Sequence, residues 1–180
     1  MVHSYLVERD GPTGKIQRVF LFDIDGIQER AQDIHGRLTR RFVFDHEHHA
    51  ILEYTGEKDE RVKRTLSYQP DSATISEGGK YGKITRTFQF KPELSTIVER
   101  EGTKFGPVRR TYLFDARGIL EKEGEEYRDR RMFIFDAIGS ITEREGGWYG
   151  TNKRIFIGEQ LNPETFRDFT GFLQLLFLIG

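Results

Sequence analysis

The stretch FIFDAIGSITEREGGWYG, from Phe133 to Gly150, decides how the chain reads. Phe133, Ile134 and Phe135 belong to a run whose side chains alternate with period two, the mark of a strand with two unlike faces. Asp136-Ala-Ile-Gly139 fits a type I turn closed by a left-handed glycine, because Asp bonds the turn backbone and Gly takes positive φ freely. Ile141-Thr-Glu143 then returns as a second strand, and Gly146-Gly-Trp-Tyr-Gly150 makes a second turn.

The phrase recurs. Aligned on an Arg followed by alternating bulky residues, copies begin at Arg18, Arg40, Arg64, Arg86, Arg110 and Arg131, with a partial copy at Arg154. The intervals are 22, 24, 22, 24, 21 and 23 residues. Asp23 to Gly26 and Asp115 to Gly118 repeat the first turn, and Gly102 to Gly106 repeats the second. Such regular hairpins predict an antiparallel meander of about twelve strands. Phe20, Phe22, Phe42, Phe44, Phe88, Phe90, Phe114, Phe133 and Phe135 all fall on one face. Thr65, Ser67, Thr87, Gln89 and Thr111 fall on the other. A flat sheet of this length would leave open edges and a bare apolar face, whereas a cylinder with the aromatics inward removes both.

So wide a cylinder needs filling. Asn162-Pro163-Glu164 is a helix start, with a capping side chain, proline at the first helical position and a carboxylate in the first turn. Phe166, Phe169, Phe172, Leu173, Leu176 and Phe177 follow at helical spacing, and Leu175, Leu178 and Ile179 make the later part apolar nearly all round. A helix apolar on every side is surrounded by lipid or by protein. The run is too short to span a bilayer. The fold class expected is therefore mainly β: a closed up-and-down barrel, one domain over residues 1–180, enclosing a hydrophobic C-terminal helix over 163–179.

Composition bounds the rest. The 180 residues include 15 Phe, 7 Tyr and 1 Trp, and the formal net charge is −1. A chain near neutrality has no global field to draw it onto nucleic acid or anionic lipid, which leaves only a local basic patch for either, and no nucleic-acid partner is expected. The absence of cysteine excludes disulfides, thiolate metal sites and cysteine catalysis. The opening MVHSYLVERD lacks the basic start and apolar run of a secretory signal, which predicts a cytoplasmic location.

These features resemble the Tubby C-terminal-like superfamily, and within it the LURP-one-related proteins, with phospholipid scramblases as cousins. The likeness rests on Tyr5-Leu-Val-Glu8, the Phe-x-Phe-Asp-x-x-Gly copies, Phe133 to Gly139 running into Trp148, the Arg154-Ile-Phe-Ile157 strand and the apolar finish. It implies a barrel of about twelve strands. Tubby domains bind phosphoinositides, so the resemblance also implies membrane phospholipid headgroups as partners and a peripheral position at a membrane. The hairpins are similar, too, to the YD repeats of Rhs-type shells and more loosely to MORN repeats, which would imply protein contacts or self-assembly.

Candidate sites are few. Asp45-His46-Glu47-His48-His49 is the one histidine cluster, and an extended segment would put His46 and His48 on one side, with His49 beside them, for a metal. An exposed hairpin tip reads the same way. Arg37, Arg40, Arg41, Arg61, Lys63 and Arg64, with Arg128 to Arg131 as a further run, supply cations for a phosphate patch. The Arg of each forward strand and the Glu of each return strand (Arg110 with Glu121 or Glu123, Arg131 with Glu143 or Glu145) suit cross-strand ion pairs. Repetition favours a structural ladder here, since a binding site needs one special copy. Alternation puts these charges on the aromatic face, so they belong at a solvated barrel end unless bulges turn them outward. Trp148 and Tyr149 read as turn and core residues. No Gly-x-Ser-x-Gly, phosphate loop, His-Glu-x-x-His or dinucleotide fingerprint occurs. The expectation is a non-enzymatic binding or scaffold protein without a cofactor.

Overall fold

The computed structural model describes residues 3–79, 81–125 and 128–180. Fourteen strands run antiparallel in chain order: β1 (Ser4–Arg9), β2 (Ile16–Phe22), β3 (Gly26–Ala31), β4 (Leu38–Asp45), β5 (Ala50–Thr55), β6 (Arg64–Gln69) and β7 (Ser72–Glu77). They continue with β8 (Ile84–Lys91), β9 (Thr96–Glu101), β10 (Val108–Phe114), β11 (Gly118–Glu123), β12 (Arg128–Asp136), β13 (Ser140–Glu145) and β14 (Thr151–Glu159). Each bonds its neighbours in sequence, and β1 bonds β14, closing the barrel. The count exceeds the expected twelve because every one of the seven Arg-bearing strands has a return strand. β1 supplies the seventh by pairing with β14.

The aromatic face is the inner one. Phe20, Phe42, Phe88, Tyr112, Phe133 and Phe156 are each at most 2% exposed, interleaved with Ile27, Ile97, Ile119 and Ile141 from the return strands. On the outer face, Thr65, Thr87 and Thr111 donate hydroxyl hydrogen bonds to the Gly78, Gly102 and Gly124 carbonyls, so a buried polar group is satisfied in each of these three copies.

The turn glycines divide in two. Gly139 has φ +87°, as the turn pattern predicts. Gly26 and Gly118 keep negative φ, a departure from the expected left-handed turn. They are needed for another reason: a Cβ there would lie 2.0 Å from the Phe42 or Phe133 carbonyl oxygen.

The C-terminal segment is helical in two pieces rather than one. A 3-10 turn, Pro163–Phe166, begins at Asn162, whose side chain accepts from the Glu164 N–H. The helix α1 (Phe169–Ile179) begins afresh at Asp168, whose extended backbone and side-chain acceptor for Gly171 N–H make a second cap. A Cβ on Gly171 would sit 1.9 Å from the Thr165 carbonyl, so the two pieces fold tightly on each other. Inside the barrel, Phe172 meets Tyr112, Phe114 and Phe133 edge-on at 5.3–5.4 Å. Phe177 meets Phe42, Phe169 meets Phe90 and Phe114, and Phe166 meets Phe22. Such pairs add to area burial. Phe172, Leu173 and Phe177 are fully buried, while Phe169 and Leu176 are partly so. No helix among the described residues is long and apolar enough to cross a membrane.

Candidate functional site

Among the described residues, seven arginines and six glutamates line the inner wall at the mouth reached by the C-terminus of α1. Register places them opposite one another: Glu8 with Arg18, Glu29 with Arg40, Glu53 with Arg64, Glu99 with Arg110, Glu121 with Arg131, and Glu143 with Arg154. Each carboxylate also reaches a second arginine. Glu8 joins Arg18 to Arg154 (3.2 Å), Glu29 joins Arg18 (3.0 Å) to Arg40, and Glu53 joins Arg40 (2.9 Å) to Arg64. Glu99, Glu121 and Glu143 continue through Arg86, Arg110, Arg131 and Arg154. Guanidiniums lie 5.0–5.2 Å from the aromatic rings two residues on, at Phe20, Phe42, Phe133 and Phe156, which confirms that they share the inner face.

The charges thus stay inside, at a barrel end. Bulges are present but do not turn them out. In six of the hairpins at this mouth one residue just before the arginine is left unpaired, among them Arg109, Arg130 and Lys153. A bulge bends its strand and re-aims a neighbour. Here it brings Arg130 and Lys153 to the lip of the mouth.

The ring breaks once. The return-strand residue opposite Arg86 is Ile75, and the residue across from Ile75 on β6 is Leu66. Elsewhere these positions hold Glu and an aromatic. The sequence carried this signal: the aligned return strands read Glu8, Glu29, Glu53, Ile75, Glu99, Glu121 and Glu143.

The helix end is not centred on the ring. Arg18, Arg40 and Arg64 donate to the carbonyls of Ile179, Leu178 and Phe177, acceptors that a helix leaves unsatisfied at its C-terminus and that its dipole makes attractive to cations. Arg86, Arg110 and Arg131 make no such bond. They face a cavity of about 280 Å³, walled on the helix side by Leu173, Leu176 and Gly180.

Electrostatics differ between the two arcs. Burial alone would raise the Glu29 and Glu53 carboxyls, but hydrogen bonds from Arg40 and Thr39 to Glu29, and from Arg64 and Arg40 to Glu53, overcome it and hold both below the ordinary value. Burial alone would lower the Arg40 guanidinium, and Glu29 with Glu53 hold it above the usual value. On the other arc burial prevails at Arg86, pushing it below its ordinary value, with repulsion from Arg109 and Arg110 adding to it against Glu99. At Arg131 burial is overcome by Glu121, Tyr112 and Glu143, which hold it above the usual value. Among the described residues, buried Arg110 Nε and Glu121 Oε1 make no hydrogen bond, although Glu121 Oε1 lies 3.2 Å from Arg110 Nη1 as an ion pair. The buried Tyr112 phenol, pushed well up by burial and by Glu99, donates to Glu99 at 3.2 Å.

The basic residues singled out from sequence do not form one patch. Arg40 and Arg64 point inward in the ring. Arg41 lies outside, over the Tyr54 ring at 4.3 Å and bonded to the Asp59 carbonyl. Arg37, Arg61 and Lys63 are exposed in turns at the ring mouth. His46, His48 and His49 lie exposed in the β4–β5 turn at the far mouth, where His48 Nδ1 is 2.8 Å from Asp45 Oδ2 and His46 Nε2 is 3.4 Å from the Ile24 carbonyl oxygen. Among the described residues no group of three or more histidines and carboxylates is placed to hold a metal ion. Trp148 and Tyr149 both lie in the β13–β14 turn, as expected, but neither is a core residue: Trp148 is half-buried under the Arg117 guanidinium and Tyr149 is fully exposed.

No family model and no curated protein matches the chain. Among solved structures, the X-ray structure of an Arabidopsis thaliana protein, AT5G01750, is similar at 11% identity and a TM-score of 0.48, over 97% of this chain and 89% of that one.

Proposed function

We propose that this chain is a non-enzymatic binding module of the Tubby or LURP-one-like kind, held peripherally at a membrane by anionic phospholipid headgroups at its ring mouth. One observation carries the reading. Three of the turns at that mouth, between β7 and β8, β9 and β10, and β13 and β14, present Tyr81, Phe105 and Tyr149 at 85% exposure or more, beside Lys104, Arg130 and Lys153. Aromatic rings suit the boundary between water and lipid, and each basic residue near an anionic surface adds about 1 kcal/mol of attraction. The ring glutamates, each clasped by two guanidiniums, are poorly placed to serve as proton donors, which supports a binding rather than a catalytic role.

Sedimentation with vesicles tests this. Phosphatidylcholine vesicles carrying phosphatidylserine or a phosphoinositide should bring the protein down, and pure phosphatidylcholine should not. The pair Phe105→Ser and Tyr149→Ser should weaken the association, while Ile138→Ser at the far mouth should not. Equal recovery with neutral and anionic vesicles would remove the lipid reading. A second reading, contact with another protein or a second copy, is favoured by Ile24, Leu94 and Ile138, which are exposed in turns at the far mouth. Molar mass that rises with concentration, and no longer does so in Ile138→Ser, would support it.

A further inference from the structure

The break in the ring makes one copy unlike the other six, and we infer that the cavity there binds a small oxyanion, a phosphate group, between Arg64, Arg86 and Arg110. In every other copy a glutamate stands between consecutive arginines. At Ile75 the carboxylate is missing, so seven guanidiniums share six carboxylates, and the surplus falls beside the cavity. Arg86 keeps a single ion pair, at 3.5 Å from Glu99. Arg110, one-tenth exposed, has its Nε buried without a partner and 3.9 Å from Glu99.

Lining side chains sharpen the imbalance. Arg130 and Lys153 join the ring arginines, giving six cations among the described residues against Glu99, Glu143 and Glu145. A guanidinium offers a planar fork of donors that matches phosphate or carboxylate oxygens, and such bonds are stronger than neutral ones. A volume of about 280 Å³ lies just below the range of ligand pockets, which starts at about 300 Å³. That suits a phosphate group with little attached to it and excludes a large organic ligand. The site does not depend on membrane association: the phosphate can be a free ion or the exposed group of a lipid.

The test is titration calorimetry with inorganic phosphate on the full chain, against chloride at matched ionic strength. The wild type should bind phosphate saturably and melt at higher temperature in its presence. Ile75→Glu, which supplies the missing carboxylate, should weaken binding by about tenfold or more, and so should Arg86→Gln. Arg86 is one-third exposed, so the second variant reports even if the first fails to fold. No saturable binding by the wild type, or unchanged affinity in folded Arg86→Gln, overturns the site. Vesicles then separate the sources. Phosphate that competes with anionic vesicles identifies a headgroup as the source. Phosphate binding without any vesicle association identifies a free ion, and removes the membrane reading while keeping the site.

Discussion

Two arcs of one ring are built from the same repeated hairpin and end in opposite states. On the arc of Arg18, Arg40 and Arg64, every guanidinium bonds both a glutamate and a helix carbonyl, and Arg64 alone of the three also borders the cavity. On the arc of Arg86, Arg110 and Arg131, four of the five ion pairs lengthen to 3.2–3.9 Å while Arg131 stays close to Glu121, Arg110 Nε and Glu121 Oε1 make no hydrogen bond among the described residues, and a cavity intervenes. The difference follows from where the helix leans and from one substitution, Ile for Glu. A repeat therefore becomes a site by losing a charge in one copy, with no new group needed.

Stability measurements break or sharpen this contrast. The largest effect belongs to Arg40→Met, which leaves buried Glu29 and Glu53 with one cation each and a helix carbonyl with none: it should cost about 3–5 kcal/mol in urea unfolding. In the same assay Arg86→Gln should cost less, about 1 kcal/mol, because Arg86 is one-third exposed, its one ion pair is long, and buried Glu99 keeps the Tyr112 hydroxyl. Equal losses would erase the distinction between the arcs.

Acid gives a second, intermediate effect. Glu29 and Glu53 titrate below their ordinary value of 4.5 in the folded chain. Their contribution is complete above that value and is lost as pH falls through the lowered folded values. Melting temperature should therefore decline once pH drops beneath 4.5, and Arg40→Met should flatten the decline. A wild-type curve with no fall there would contradict the clasped carboxylates. A small effect, of the order of that at Arg86, concerns the opposite end of the helix. Asp168→Ala removes one cap and should cost about 1 kcal/mol, well short of Arg40→Met.

Much of the wall was legible because its signal is local and repeated: alternation at Phe133 and Phe135, turns at Asp115 and Asp136, apolar faces all round Phe172 and Phe177. The fate of the apolar segment followed, since a hollow cylinder and a fully apolar helix complete each other. The second cap at Asp168 was missed because Asn162-Pro163 already read as a start. The ring was half legible. Arg131 with Glu143 follows from pattern, but that every glutamate joins two arginines depends on barrel closure, which no local pattern encodes. Ile75 passed unnoticed as an ordinary apolar strand residue. It gains meaning only beside its six aligned counterparts. The basic runs misled in a different way: adjacent residues such as Arg40 and Arg41 face opposite sides of a wall, so proximity in sequence was not proximity in space.

The seam between β1 and β14 has a consequence for how the molecule assembles. Every other ladder joins strands adjacent in sequence and can zip as soon as its hairpin is made, whereas Tyr5 must find Glu159. Contacts between distant residues delay folding, because the entropy of closing the long loop is lost before any reward arrives. The β1–β14 clasp is therefore expected to form after the hairpins, when the sheet curls around the helix and its first and last edges meet.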